Sequence, residues 1–225
     1  IYRRLDELQP VWCPEPLFTG YFFALFALYL TMLVLFVRGR RPLSTAAGLY
    51  LCITQFTAWG EAATGTLSVT PMLIGPLLLT WTICHAGGRL RGLSVKRCEA
   101  MSIDAMCGVF AAMMALAAIS KFSASGFDWA NGQTHAMLVF ERQLHAPAPL
   151  QWLRSLLSQS PAVCSLSAAS VWLIEALAPL FLWKRFRRIY AWLVVQMFIG
   201  LALFLGVVEV AWMVMPLALA YSGRE

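Results

Sequence analysis

The chain has 225 residues, 60% of them hydrophobic and only 12% charged, with a mean hydropathy of +0.70. That balance excludes an ordinary soluble domain, because several continuous apolar runs reach the roughly 18–20 residues that cross a bilayer core. The net charge of +6 is gathered in short turns between those runs, so it reads as a membrane-topology signal and no nucleic-acid partner is expected. Backbone inside hydrocarbon must be helical or form a closed barrel, and runs without alternation specify helices. The expectation is therefore an all-α, polytopic membrane bundle of about six spans.

Residues 1–16 form a polar segment ahead of a single membrane domain over 17–221, with a tail at 222–225. The first span covers 17–37 and stops at the basic turn 38–41. The second, 43–63, carries Gln55 and, near its end, Glu61. The third, 67–86, contains Pro71, Gly75 and Pro76, which should bend it. A second basic turn, 89–97, leads to the fourth span, 99–120, with Asp104 in its first turns. Residues 121–161 make the one long polar connection. Met137, Leu138 and Phe140, then Leu150, Leu153 and Leu157, fall at helical spacing, which predicts two short amphipathic helices lying on the membrane. The fifth span, 162–183, ends at the third basic turn, 184–188. The sixth runs from 190 to about 208, and the apolar piece 210–221 is too short to cross alone.

Eleven of the 17 Lys and Arg residues lie in the three basic turns, and six spans put all three turns on one face. The positive-inside rule makes that face cytoplasmic and the 121–161 connection periplasmic, as in a bacterial inner-membrane protein. The six cysteines form no CxxC pair, so no redox or zinc motif is read. Cys13 and Cys164 share the expected outer side, and a disulfide between them is one reading. His135, Glu141 and His145 match no metal-ligand spacing, so no metal is expected.

Lys121 is the first charge after the fourth span. At a bilayer rim a lysine is either an anchor, with its stem in hydrocarbon and its head in water, or a base once partly desolvated. Glu61, Asp128 and Glu209 are its expected electrostatic neighbours, and carboxylates beside a lysine favour its charged form. Glu175 and Gln196 lie inside the fifth and sixth spans, about 12 and 9 Å from the inner face at 1.5 Å per residue. They pair as a neutral hydrogen-bonded couple, or they form a proton path or a site for a ligand hydroxyl. Trp59, Trp129 and Trp152 sit near the outer face, where they serve as belt residues or line a quinone slot.

Lys121, the small polar run Ser123–Gly126, Asp128-Trp129, and Gly132 three residues beyond the tryptophan resemble the vitamin K-dependent gamma-carboxylase family and its wider relatives with the horizontally transferred transmembrane (HTTM) domain. Leu173-Ile174-Glu175-Ala176-Leu177-Ala178-Pro179 resembles that family's Glu-then-Pro helix, and Arg89-Leu90-Arg91-Gly92 its basic turn. The resemblance covers residues 87–219, with Gln196 where relatives often carry His. It implies a quinol-linked membrane enzyme with Lys121 as the base. The alternative is a non-catalytic subunit packed among other subunits of an electron-transfer or photosynthetic complex.

Overall fold

A computed structural model describes residues 15–38, 41–64, 69–143, 146–207 and 209–222, with side chains omitted at 15–19, 37, 59–64 and 69–72. Nine helices appear among these residues: α1 (Glu15–Val37), α2 (Pro42–Thr64), α3 (Val69–Leu90), α4 (Val95–Ser125), α5 (Gly132–Gln143), α6 (Ala148–Ser158), α7 (Pro161–Ala176), α8 (Arg187–Leu205) and α9 (Val210–Tyr221). Short 3₁₀ turns follow α4 at Gly126–Ala130 and α7 at Ala178–Leu182. No strand occurs among the described residues. The all-α expectation holds.

Among the described residues fewer candidate spans are found than the six expected. Two helices among these residues are long and apolar enough to cross a membrane, Val95–Ala130 and Arg187–Leu205, and the bent pair α6–α7 makes a third if it is one broken span. One physical reason stands out. The expected fifth span is interrupted after Ala176, where Pro179 sits in a 3₁₀ turn, so α7 alone is only 16 residues long, about 24 Å.

The described residues fall into two compact units that divide between Met106 and Cys107, within α4. In the first, α2 packs on both α1 and α3. Phe22 and Tyr29 meet Phe56 edge-on, and Phe36 meets Trp81. Gly48 lets the Met32 thioether approach, with its sulfur 3.2 Å from where a Cβ would stand. The α3 C-terminus closes with Gly92 at φ 74°. Leu93 N–H bonds to Gly88 O, and Gly92 N–H bonds to Arg89 O. That is the Schellman arrangement, which uses carbonyls a helix end would leave unpaired.

In the second unit α5 packs on α6, α7 and α8, and α8 packs on α9. The core is built on Phe110, Phe181, Tyr190, Val194 and Trp212, all buried. Phe110 touches both Phe181 and Trp212. A buried arginine ties the helix ends together. Arg154 of α6 donates to Leu203 O at 2.8 Å and Ala202 O at 3.2 Å at the end of α8, and to Arg142 O at 2.8 Å at the end of α5. A guanidinium suits this role because its donors diverge in one plane and the carbonyl ends of two helices attract positive charge. The α6 axis turns 101° from α7.

Candidate functional site

The fourth span does not stop at Lys121. α4 continues to Ser125, and the 3₁₀ turn carries it to Ala130. Ser and Ala tolerate a helix here, and the Ser125 hydroxyl bonds back to Lys121 O at 3.3 Å. Gly126 at φ 58° ends the α-helix. Lys121 therefore lies nine residues before the Ala130 end, about 14 Å along the axis.

That end is fixed to the start of α7. Ser165 Oγ donates to Ala130 O at 2.6 Å. Asn131 caps α5, its side-chain oxygen accepting from Gln133 N–H at 2.9 Å. A Cβ on Gly132 would lie 1.9 Å from Pro161 O, so only glycine permits this crossing. Further along, Trp172 Nε1–H donates to Ala118 O at 3.1 Å. The two helices thus run antiparallel, with 130 beside 165 and 118 beside 172. This register brings together Lys121 and Glu175, 54 residues apart, and Lys121 Nζ donates to Glu175 Oε1.

The pair is set in protein. The lysine and glutamate side chains are 21% and 9% exposed. The ammonium sits over the Trp129 ring, 5.1 Å from its centre, a favourable cation–π contact. Trp129 is held in turn by His135, whose ring meets it edge-on and whose Nε2–H donates to Trp129 O at 2.7 Å. Tyr190 fixes the α7 side by donating to Ile174 O at 3.0 Å. Lys121, Glu175, Trp129, His135 and Gln196 then share the wall of one cavity of about 540 Å³, otherwise lined chiefly by apolar side chains of α5, α6, α7 and α8. Few convergent polar groups in a mostly apolar cavity of this size is the usual composition of a small-molecule site.

No family model, no curated protein and no solved structure matches this chain.

The placement of the other sequence candidates differs. Glu175 bonds to Lys121; Gln196 lies on the same cavity wall without a hydrogen bond to it among those described. Asp128 is exposed and does not line the cavity; its carbonyl accepts from Asn131 N–H. Glu209 precedes α9, its carbonyl accepting from Trp212 N–H, and it too is absent from the cavity wall. The side chains of Glu61 and Trp59, and residues Cys13 and His145, lie outside the described residues. The Cys164 thiol is buried, 3.4 Å from Leu157 O. Trp152 is exposed on α6. Among the described residues no three His, Cys, Asp or Glu side chains could hold a metal ion.

Two features escape a linear reading. Glu175 is assigned to the inner half and Lys121 to the outer rim when the polar run after Lys121 is taken as a loop. Continuing the helix beyond Lys121 moves that residue inward, toward the level of Glu175. His135 is read only for metal spacing, although its distance from Trp129 suits a helix-start contact.

Proposed function

We propose that the chain is a membrane-embedded enzyme acting with a lipid quinol, of the HTTM and gamma-carboxylase kind, in which Lys121 works with Glu175 as the base. The observation that supports this reading is the meeting of Lys121 and Glu175 on the wall of the cavity. An ammonium–carboxylate pair is neutral as a whole, and a shift of its shared proton to Glu175 leaves Lys121 as a neutral amine with a free lone pair. A ligand hydroxyl in the cavity gives its proton to that amine, and the oxyanion that forms faces the resulting Lys121 ammonium. Partial burial strengthens that attraction relative to water. Trp129 positions the ammonium through its ring face. His135, half-buried on the cavity wall, holds Trp129 in place. The apolar remainder of the cavity suits the ring and tail of a lipid-soluble quinol.

In the same reading the chain is a six-span inner-membrane protein. Its basic turns are cytoplasmic, and the segment that holds Trp129 and His135 is periplasmic. The test of the ligand is extraction of the gently purified chain followed by mass spectrometry. The expected result is a quinone near one per chain in the wild type, lost in Glu175→Leu but retained in an exposed control such as Asp128→Asn. Equal lipid profiles in all three proteins, with no quinone enriched, would support a subunit without chemistry of its own.

A further inference from the structure

A second feature of the molecule lies apart from the cavity, at the start of α8. From 176 to 208 the chain contains no Asp or Glu. Within that stretch Trp183, Lys184, Arg185, Phe186, Arg188, Ile189 and Trp192 are all exposed, so cations and large apolar side chains alternate on one surface. Arg185 lies over the Phe186 ring at 5.7 Å, and Arg188 over the Tyr221 ring at 5.3 Å. Tyr221 is steadied by Trp192, whose Nε1–H lies 3.4 Å from its hydroxyl. Neither Arg185 nor Arg188 has a carboxylate partner among the described residues.

The arrangement has a chemical consequence. An aromatic ring covers the face of a guanidinium but leaves its N–H donors free in the plane. Two such groups present forked donors that fit the oxygens of a phosphate diester. Their location selects the source of that phosphate. Arg187–Leu205 is long and apolar enough to cross a membrane, so its first turn stands at headgroup depth, where tryptophans also concentrate. Ile189 and Trp192 continue down the same helix and suit acyl chains.

We infer that Arg185 and Arg188, with Trp183 and Trp192, form a binding surface for an anionic phospholipid. The inference is independent of the Lys121 reading. Charge complementarity argues for it over an acidic protein, because the apolar side chains between the cations need a hydrocarbon neighbour that a soluble acidic surface does not supply.

The experiment uses the full chain in neutral detergent at physiological salt, titrated with phosphatidylglycerol or phosphatidylcholine and read by native mass spectrometry. Phosphatidylglycerol should be retained in preference to phosphatidylcholine. Each juxtamembrane cation contributes about five-fold to binding an anionic surface. Arg185→Gln with Arg188→Gln should therefore weaken phosphatidylglycerol roughly 30-fold and leave phosphatidylcholine unchanged. The single variants should each lose about five-fold, which keeps the test usable if the double variant does not fold. Lys96→Gln with Arg97→Gln, in a different basic turn, is the control and should change little. Equal retention of both lipids by the wild type would overturn the inference. So would an equal loss in the control, or an acidic protein that co-purifies through Arg185 and Arg188 while the two lipids bind alike.

Discussion

At the scale of single residues, the site depends on a buried charge pair and on one missing side chain. Truncating one member of a buried pair strands the other and typically costs about 3–5 kcal/mol, whereas replacing both by apolar groups is often neutral. Glu175→Leu and Lys121→Met should each lower thermal stability in detergent by about that amount, and the double variant should recover most of the loss. Additive losses in the double variant would mean that the two residues do not interact. Gly132 has a different reason. A Cβ there would stand 1.9 Å from Pro161 O, which is backbone and cannot turn aside. Gly132→Ala should cost at least about 1–3 kcal/mol. Gly108→Ala, with nothing within 4 Å of its added carbon, should be neutral or stabilising, since alanine favours a helix interior by about 1 kcal/mol. Similar unfolding temperatures for the two variants would contradict the close crossing. The residue types were legible in the sequence, because an ionisable side chain within an apolar run is rare enough to mark itself. Their partnership was not. A lysine followed by Phe, Ser, Ala, Ser and Gly reads equally as a helix end or as one more helical turn, and only packing against α7 decides.

At the scale of elements, Arg154 adds to the local Gly206 cap of α8 and joins that end to the end of α5. The last carbonyls of a helix lack partners within it, and Arg154 serves those of α5 and α8 together. Hydrogen bonds to charged groups contribute about 1.5–3 kcal/mol each. Arg154→Met should therefore destabilise the protein by several kcal/mol, and Arg154→Lys should recover only part of it, since an ammonium cannot reach three carbonyls on two helices. Full recovery by lysine, measured by thermal unfolding, would reduce the role to simple charge. The helix pattern at 148–158 was visible from its leucine spacing, and so was the short α5. That Arg154 points inward was not. An arginine between leucines on an amphipathic helix is usually placed on the wet face, and here the carbonyls of other helices, distant in sequence, make the buried position the better solvated one.

At the scale of the whole molecule, composition alone reads as helices in a membrane, and the helix order along the chain follows the apolar runs. The number of crossings was less legible, because hydropathy does not register the break after Ala176. Sidedness gives a separate prediction. Cysteines introduced at Gly92 and Phe186 should resist a membrane-impermeant thiol reagent applied to intact cells, and one at Gln133 should react. External labelling at Gly92 would invert the proposed orientation. The central claim is that Lys121 gains and loses a proton in the cavity. Arginine supplies the same positive charge and cannot be deprotonated at any working pH. The direct measurement is complementation of a deletion strain by Lys121→Arg, with expression and membrane insertion checked alongside Lys121→Ala. The account predicts an inserted, folded arginine variant that fails to complement, as the alanine variant also fails. Full complementation by arginine would contradict it.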